Sequence, residues 1–160
     1  MTTTTETGGP SGFDFFVGDW HVQNRRLRER LNNSNEWEEF DGISHSRHIL
    51  NGLGNIDEVS LNRAAGAVQG FTLRLFNPIT QEWSLSWSDS QSGTLLPPMI
   101  GRFLDGIGEF YAQEVHENRT VLSRFIWSGI MANSCHWEQA LSANGGRTWE
   151  TNWTMDFTRI

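Results

Sequence analysis

The chain has 160 residues, of which 37% are hydrophobic and 19% charged, with a formal net charge of -7. That length sets an expectation of one domain, and no run of about 18 apolar residues is present to make a membrane-spanning helix. All 12 basic residues are arginine, which excludes Schiff-base catalysis by lysine and lysine-dependent phosphate loops, while the acidic balance argues against nucleic acid as a partner.

Residues 1–12 are rich in threonine and glycine and read as a flexible tail, without the basic and apolar stretches of a signal peptide. Cys135 is the single cysteine, so no internal disulfide can form, and a cytoplasmic, bacterial-type setting is the expectation. Phe13-Asp14-Phe15-Phe16 allows one helical turn. Beyond it, apolar residues recur at every second position, the pattern of half-buried strands. Strands are expected over 18–30, over 36–50 with a bulge at Gly42, over 56–61, and over 69–76 ending in the turn Asn77-Pro78-Ile79-Thr80. The segment 82–89 puts Trp83, Leu85, Trp87 and Asp89 on one face, with Glu82 and the serines 84, 86 and 88 on the other. Strands follow over 99–104, 109–116, 120–128, 134–142 and 148–159, with Asp105-Gly106 and Asn144-Gly145-Gly146 as hairpin signals. No helix of crossover length separates any pair, so the sheet is expected to be antiparallel. About ten strands in an up-and-down meander remove their edges most simply by closing into one barrel over residues 13–160.

The opening Phe13-Asp14-Phe15-Phe16-Val17-Gly18-Asp19-Trp20 resembles that of a bacterial family of lipocalin-like proteins of the calycin superfamily. Further words of the same kind are Gly52-Leu53-Gly54-Asn55-Ile56-Asp57-Glu58, Arg74-Leu75-Phe76-Asn77-Pro78, Trp83-Ser84-Leu85-Ser86-Trp87 and Trp149-Glu150-Thr151-Asn152-Trp153-Thr154-Met155-Asp156-Phe157. The resemblance implies a ten-stranded barrel of the kind seen in fatty-acid-binding proteins and nitrobindins, with Trp20 plugging one end. It implies no particular activity.

Strand parity sorts the candidate site residues, since residues two apart share a face. Arg74 shares its face with Phe76, and Asp89 with Trp83, Leu85 and Trp87. A charge among aromatics on an inward face must be paired or must meet a ligand. Arg74 or Arg124, walled by Trp87 and Trp127 and joined by Asn152, would anchor the carboxylate of an amphipathic molecule. The competing reading of Arg74 is a structural Arg–Asp pair. Glu138, Asp89 and His136 are the candidates for acid–base catalysis, of the isomerase, cyclase or lyase kind and without a cofactor. Haem held through His136 is a further alternative carried by the nitrobindin resemblance. Cys135 and His136 point to opposite faces and make no dyad, and no histidine pair has metal-ligand spacing. The run Arg25 to Arg30 is divided between two faces and faces the acids Glu36, Glu38 and Glu39, which reads as cross-strand pairing.

The sequence therefore leads to a small-molecule-binding barrel for an apolar or amphipathic, anionic organic ligand. Catalysis in the same cavity is the alternative, and a homodimer is expected if an apolar outer face is present.

Overall fold

Alternation at every second residue runs almost unbroken from Trp20 to Phe157, and a chain so patterned buries one face only by curling its sheet around that face. A computed structural model of the protein, which describes residues 8–160, shows this closure. The strands are β1 (Gly18–Leu27), β2 (Trp37–Ile49), β3 (Gly54–Arg63), β4 (Gly66–Asn77), β5 (Glu82–Asp89), β6 (Met99–Leu104), β7 (Ile107–His116), β8 (Arg119–Ser128), β9 (Ser134–Ser142) and β10 (Glu150–Arg159). Each pairs antiparallel with its neighbours in sequence, and β1 pairs with β10 to close the barrel. No described helix is long and apolar enough to cross a membrane.

One barrel end is stoppered. The expected helical turn is a 3-10 turn at Asp14–Phe16, and it carries Phe13 and Phe16 into a cluster with Trp20, Phe103, Phe110, Trp127 and Phe157. Phe16 stacks on Trp20 at 5.7 Å and meets Trp127 and Phe157 edge-on at 4.8 and 5.1 Å, geometries that aromatic quadrupoles favour. Arg159 locks the turn from outside. Its guanidinium covers Trp20 at 4.2 Å and donates to the carbonyls of Val17 and Phe15, both at 2.8 Å, and of Ala132 at 3.0 Å. Gly18 leaves room for that arm: it sits at φ +125°, and a Cβ there would lie 2.6 Å from the Arg159 guanidinium. Of the segment read as a tail, residues 1–7 lie outside the described part of the chain. Gly8 donates to the Phe103 carbonyl at 2.9 Å.

Two local expectations differ from the structure. Gly42 lies in unbroken register with Val22, so β2 has no bulge against β1 there, while its ladder with β3 ends at Ser44. The missing side chain of Gly42 instead admits the Ser60 carbonyl, which would stand 1.9 Å from a Cβ. The register shift falls between Thr151 and Trp153 in β10, and it turns both Asn152 and Trp153 into the interior.

Candidate functional site

Above the aromatic stopper the barrel holds a cavity of about 680 Å³, within the range of about 300–1,000 Å³ common for small-ligand pockets. It opens at the end where β1, β3, β5 and β7 finish, and its rim includes Arg30, Gln91, Leu96 and His116. The two walls differ in chemistry. On one side β1, β3 and β4 present Arg26, Asp57, Arg63, Thr72 and Arg74; on the other β5, β8, β9 and β10 present Trp87, Phe125, Trp127, Trp137 and Trp153.

The aromatic wall is fixed by packing and hydrogen bonds. Trp153 meets Trp137 edge-on at 5.5 Å and Trp87 at 6.1 Å. Its indole N–H donates to Asn24 Oδ1 at 3.0 Å, and that of Trp87 donates to Asp89 Oδ2 at 3.3 Å. Gly70 lets Trp87 lie against the sheet, since a Cβ would stand 2.1 Å from its ring. A planar apolar body can therefore displace water against preset ring faces at little ordering cost.

On the polar wall, Arg74 is 4% exposed and ion-paired with Asp57, and its Nη1 also donates to Asn55 Oδ1 at 3.0 Å. The Phe13 and Phe16 rings lie 5.1 Å from its guanidinium. Of the two readings left open for Arg74, the internal pair thus has its acid in Asp57. Nearer the mouth, Arg63 pairs with Glu38 at 3.0 Å, and Glu38 also accepts from the Ala64 N–H at 3.0 Å. Those two donors hold the Glu38 carboxyl below its ordinary pKa against the opposing effect of burial.

The other expected site residues are spread over both faces. Trp87, Trp127 and Asp89 line the cavity with Arg74. Burial raises the Asp89 pKa, but hydrogen bonds from the Ser92 backbone, the Trp87 indole and the Gln91 backbone together outweigh it and leave the pKa lowered. Asp89 is thereby an ionised turn cap rather than a proton donor. Glu138 and His136 stand on the outer wall of β9. The His136 ring meets Asp156 at 2.7 Å and Glu138 at 3.4 Å, so neither residue reaches the cavity, and an iron inside it is beyond His136. Arg124 also points outward, over the Trp149 ring at 4.4 Å. Asn152 is fully buried behind the wall, where its Oδ1 accepts from the cavity-lining Gln139 at 2.7 Å. Cys135 is a core residue whose thiol burial pushes up to about 12, far from a reactive thiolate.

Sequence reasoning passed over Arg26, Arg63, Asp57, Trp137 and Trp153. The signal for Arg26 was parity, because it shares the face of Trp20, Val22 and Asn24. Of the pairing expected for that basic run, Arg25 does meet Glu39, at 3.8 Å on the surface, whereas Glu38 turns to Arg63.

Neither a family model nor a curated protein matches the sequence. Among solved structures, an S-type phycobiliprotein lyase (CPES) from Guillardia theta matches with a TM-score of 0.58 at 10% identity, covering 92% of this chain and 90% of that one. The barrel is like that lyase in fold. The likeness spans nearly the whole of both chains, so it concerns the barrel as a whole, and at this identity it speaks to architecture alone.

Proposed function

We propose that this protein is a small-molecule-binding barrel that takes an apolar or amphipathic organic ligand through its open end. The observation that carries the reading is the cavity of about 680 Å³ between a preset aromatic wall and a charged one. A filled structural barrel would have no such space. The lyase likeness supports a barrel of this shape and adds no ligand of its own.

The catalytic alternative loses ground on the same geometry, because Glu138 and His136 face outward and Asp89 is tied into its turn. A cytoplasmic setting and a homodimer belong to the proposal. For the dimer, the half-buried outer row Phe71, Leu73 and Leu75 of β4, beside Ser84, Ser86 and Ser88 of β5, is an apolar candidate face, and sedimentation of Leu73→Glu beside the wild type reads it.

The test of binding uses pyrenebutanoate methyl ester, an uncharged planar probe, with the wild type and Ala112→Phe. Ala112 lines the cavity from β7, and a phenyl ring there fills it. Saturable probe fluorescence with the wild type, lost in Ala112→Phe, is the expected result. Absence of binding by the wild type, or equal binding by both, overturns the reading.

A further inference from the structure

Two arginines that line the cavity near its mouth, Arg26 and Arg30, form no ion pair among the described residues, and of the acids there only Glu114 is likewise uncommitted. Arg26 faces Glu38 across the β1–β2 ladder, but the carboxylate of Glu38 is taken on one oxygen by Arg63 and on the other by the Ala64 N–H. Asp89, also on the lining, spends one oxygen on the backbone of Gln91 and Ser92 and the other on Trp87. Glu114, on β7, makes no ion pair with Arg26 among the described residues. What Arg26 does have is an aromatic neighbour: its guanidinium lies 5.0 Å from the Trp153 ring, and its Nε is buried without a hydrogen-bond partner among the described residues.

The surroundings make this a costly place for a cation. Burial, followed by the charges of Arg63 and Arg30, lowers the Arg26 pKa to about 10, against the smaller opposing pull of Glu38 and Asp89. It remains protonated at neutral pH, so the unpaired charge is retained. Arg74, by contrast, is neutralised by Asp57 and offers an incoming anion no net charge.

We propose that Arg26, with the unpaired Arg30 near it on the rim, is the anion-binding site of the cavity. Its ligand is an organic carboxylate whose planar apolar body lies against Trp153, Trp137 and Trp87. This rests on the cavity being a ligand site, and it adds an orientation. The carboxylate stays at the open end, where the planar guanidinium fork can give two parallel hydrogen bonds, and the apolar body goes in first, towards the stopper. The geometry also fixes a size class, a fused-ring or conjugated acid rather than a short one, because the acid must reach Arg26 while its body spans the tryptophans.

The test compares pyrenebutanoate with its methyl ester in the wild type, Arg26→Met and Arg26→Gln. The wild type should prefer the acid by about ten- to a hundredfold, the worth of a hydrogen-bonded charge pair, and in both variants the acid-to-ester ratio should fall to near one. The ligand-free Arg26 variants should also melt at a slightly higher temperature than the wild type, since a half-buried cation without an ion pair has gone. Retention of the acid preference in either folded variant overturns the assignment, as does an equal loss of acid and ester, which would make Arg26 a wall residue only. A wild type that binds neither probe overturns the underlying reading of the cavity instead, so the two failures are distinct.

Discussion

Arg74 and Arg26 are chemically identical side chains on one wall of the interior, and their partners separate their roles. Asp57 sits beside the first, so removing Arg74 strands a carboxylate that is 5% exposed. Breaking a buried pair from one side costs about 3–5 kcal/mol. Urea unfolding of Arg74→Met should show a loss of that order, and Arg74→Met combined with Asp57→Leu should recover much of it. A loss in the single variant below about 1 kcal/mol would mean that water solvates Asp57 in the folded state. Glu38 makes the corresponding statement about pH. Its carboxyl is held below the ordinary value of 4.5, so the folded chain binds fewer protons than the unfolded one as acid is added. The stability it contributes is full above about pH 4.5 and is lost as pH falls through that value towards the lowered folded pKa. Urea midpoints measured down the pH scale should fall in this window for the wild type and fall less for Glu38→Gln, which should start lower at neutral pH. Sequence alone could give the inward parity of Arg74, but the identity of its partner depends on a β3–β4 register that brings Asn55 opposite Arg74 and Asp57 opposite Thr72. Such pairing is a property of the ladder rather than of either strand.

At the scale of elements, strand existence was legible and strand ends and faces less so. β5, β6 and β9 run over the residues that periodicity marks, because turn residues and alternation agree there. The Asn144-Gly145-Gly146 signal was read as a tight turn, but the loop runs from Ser142 to Glu150, and Ser142 and Asn144 tie it together by hydrogen bonds to Gly146 and Thr148. The glycines take φ +73° and +89°, so the local propensity holds while the turn length does not. Counting in twos along β10 puts Asn152 on the face opposite Trp153. The register shift beside it breaks the count, and a bulge leaves little trace in a single sequence. Gly70 gives a test at this scale. A Cβ there meets the far end of the Trp87 ring, so Gly70→Ala should push the indole into the cavity and weaken pyrenebutanoate methyl ester binding about tenfold with little loss of stability. An unchanged affinity would show that Trp87 does not shape the binding wall.

The whole molecule divides along the barrel axis into a stoppered end that holds the fold and an open end that carries the chemistry. At the first, Arg159, Trp20 and the 3-10 turn interlock. At the second, Arg26 and Arg30 stand at the mouth without an ion pair among the described residues. Closure into a single antiparallel barrel could be argued from the meander, because ten strands without crossover helices have few other ways to lose their edges. Which faces point inward could not, since an uncovered barrel buries either set until aromatic bulk and charge are weighed around the whole ring. Whether the interior is a ligand site can be read from the indole N–H resonances of the eight tryptophans during titration with pyrenebutanoate methyl ester. Trp87, Trp137 and Trp153, which line the cavity, should shift together and saturate, while Trp37 and Trp149 outside it stay in place. Shifts confined to Trp37 and Trp149, or none at all, would contradict a ligand site in the interior.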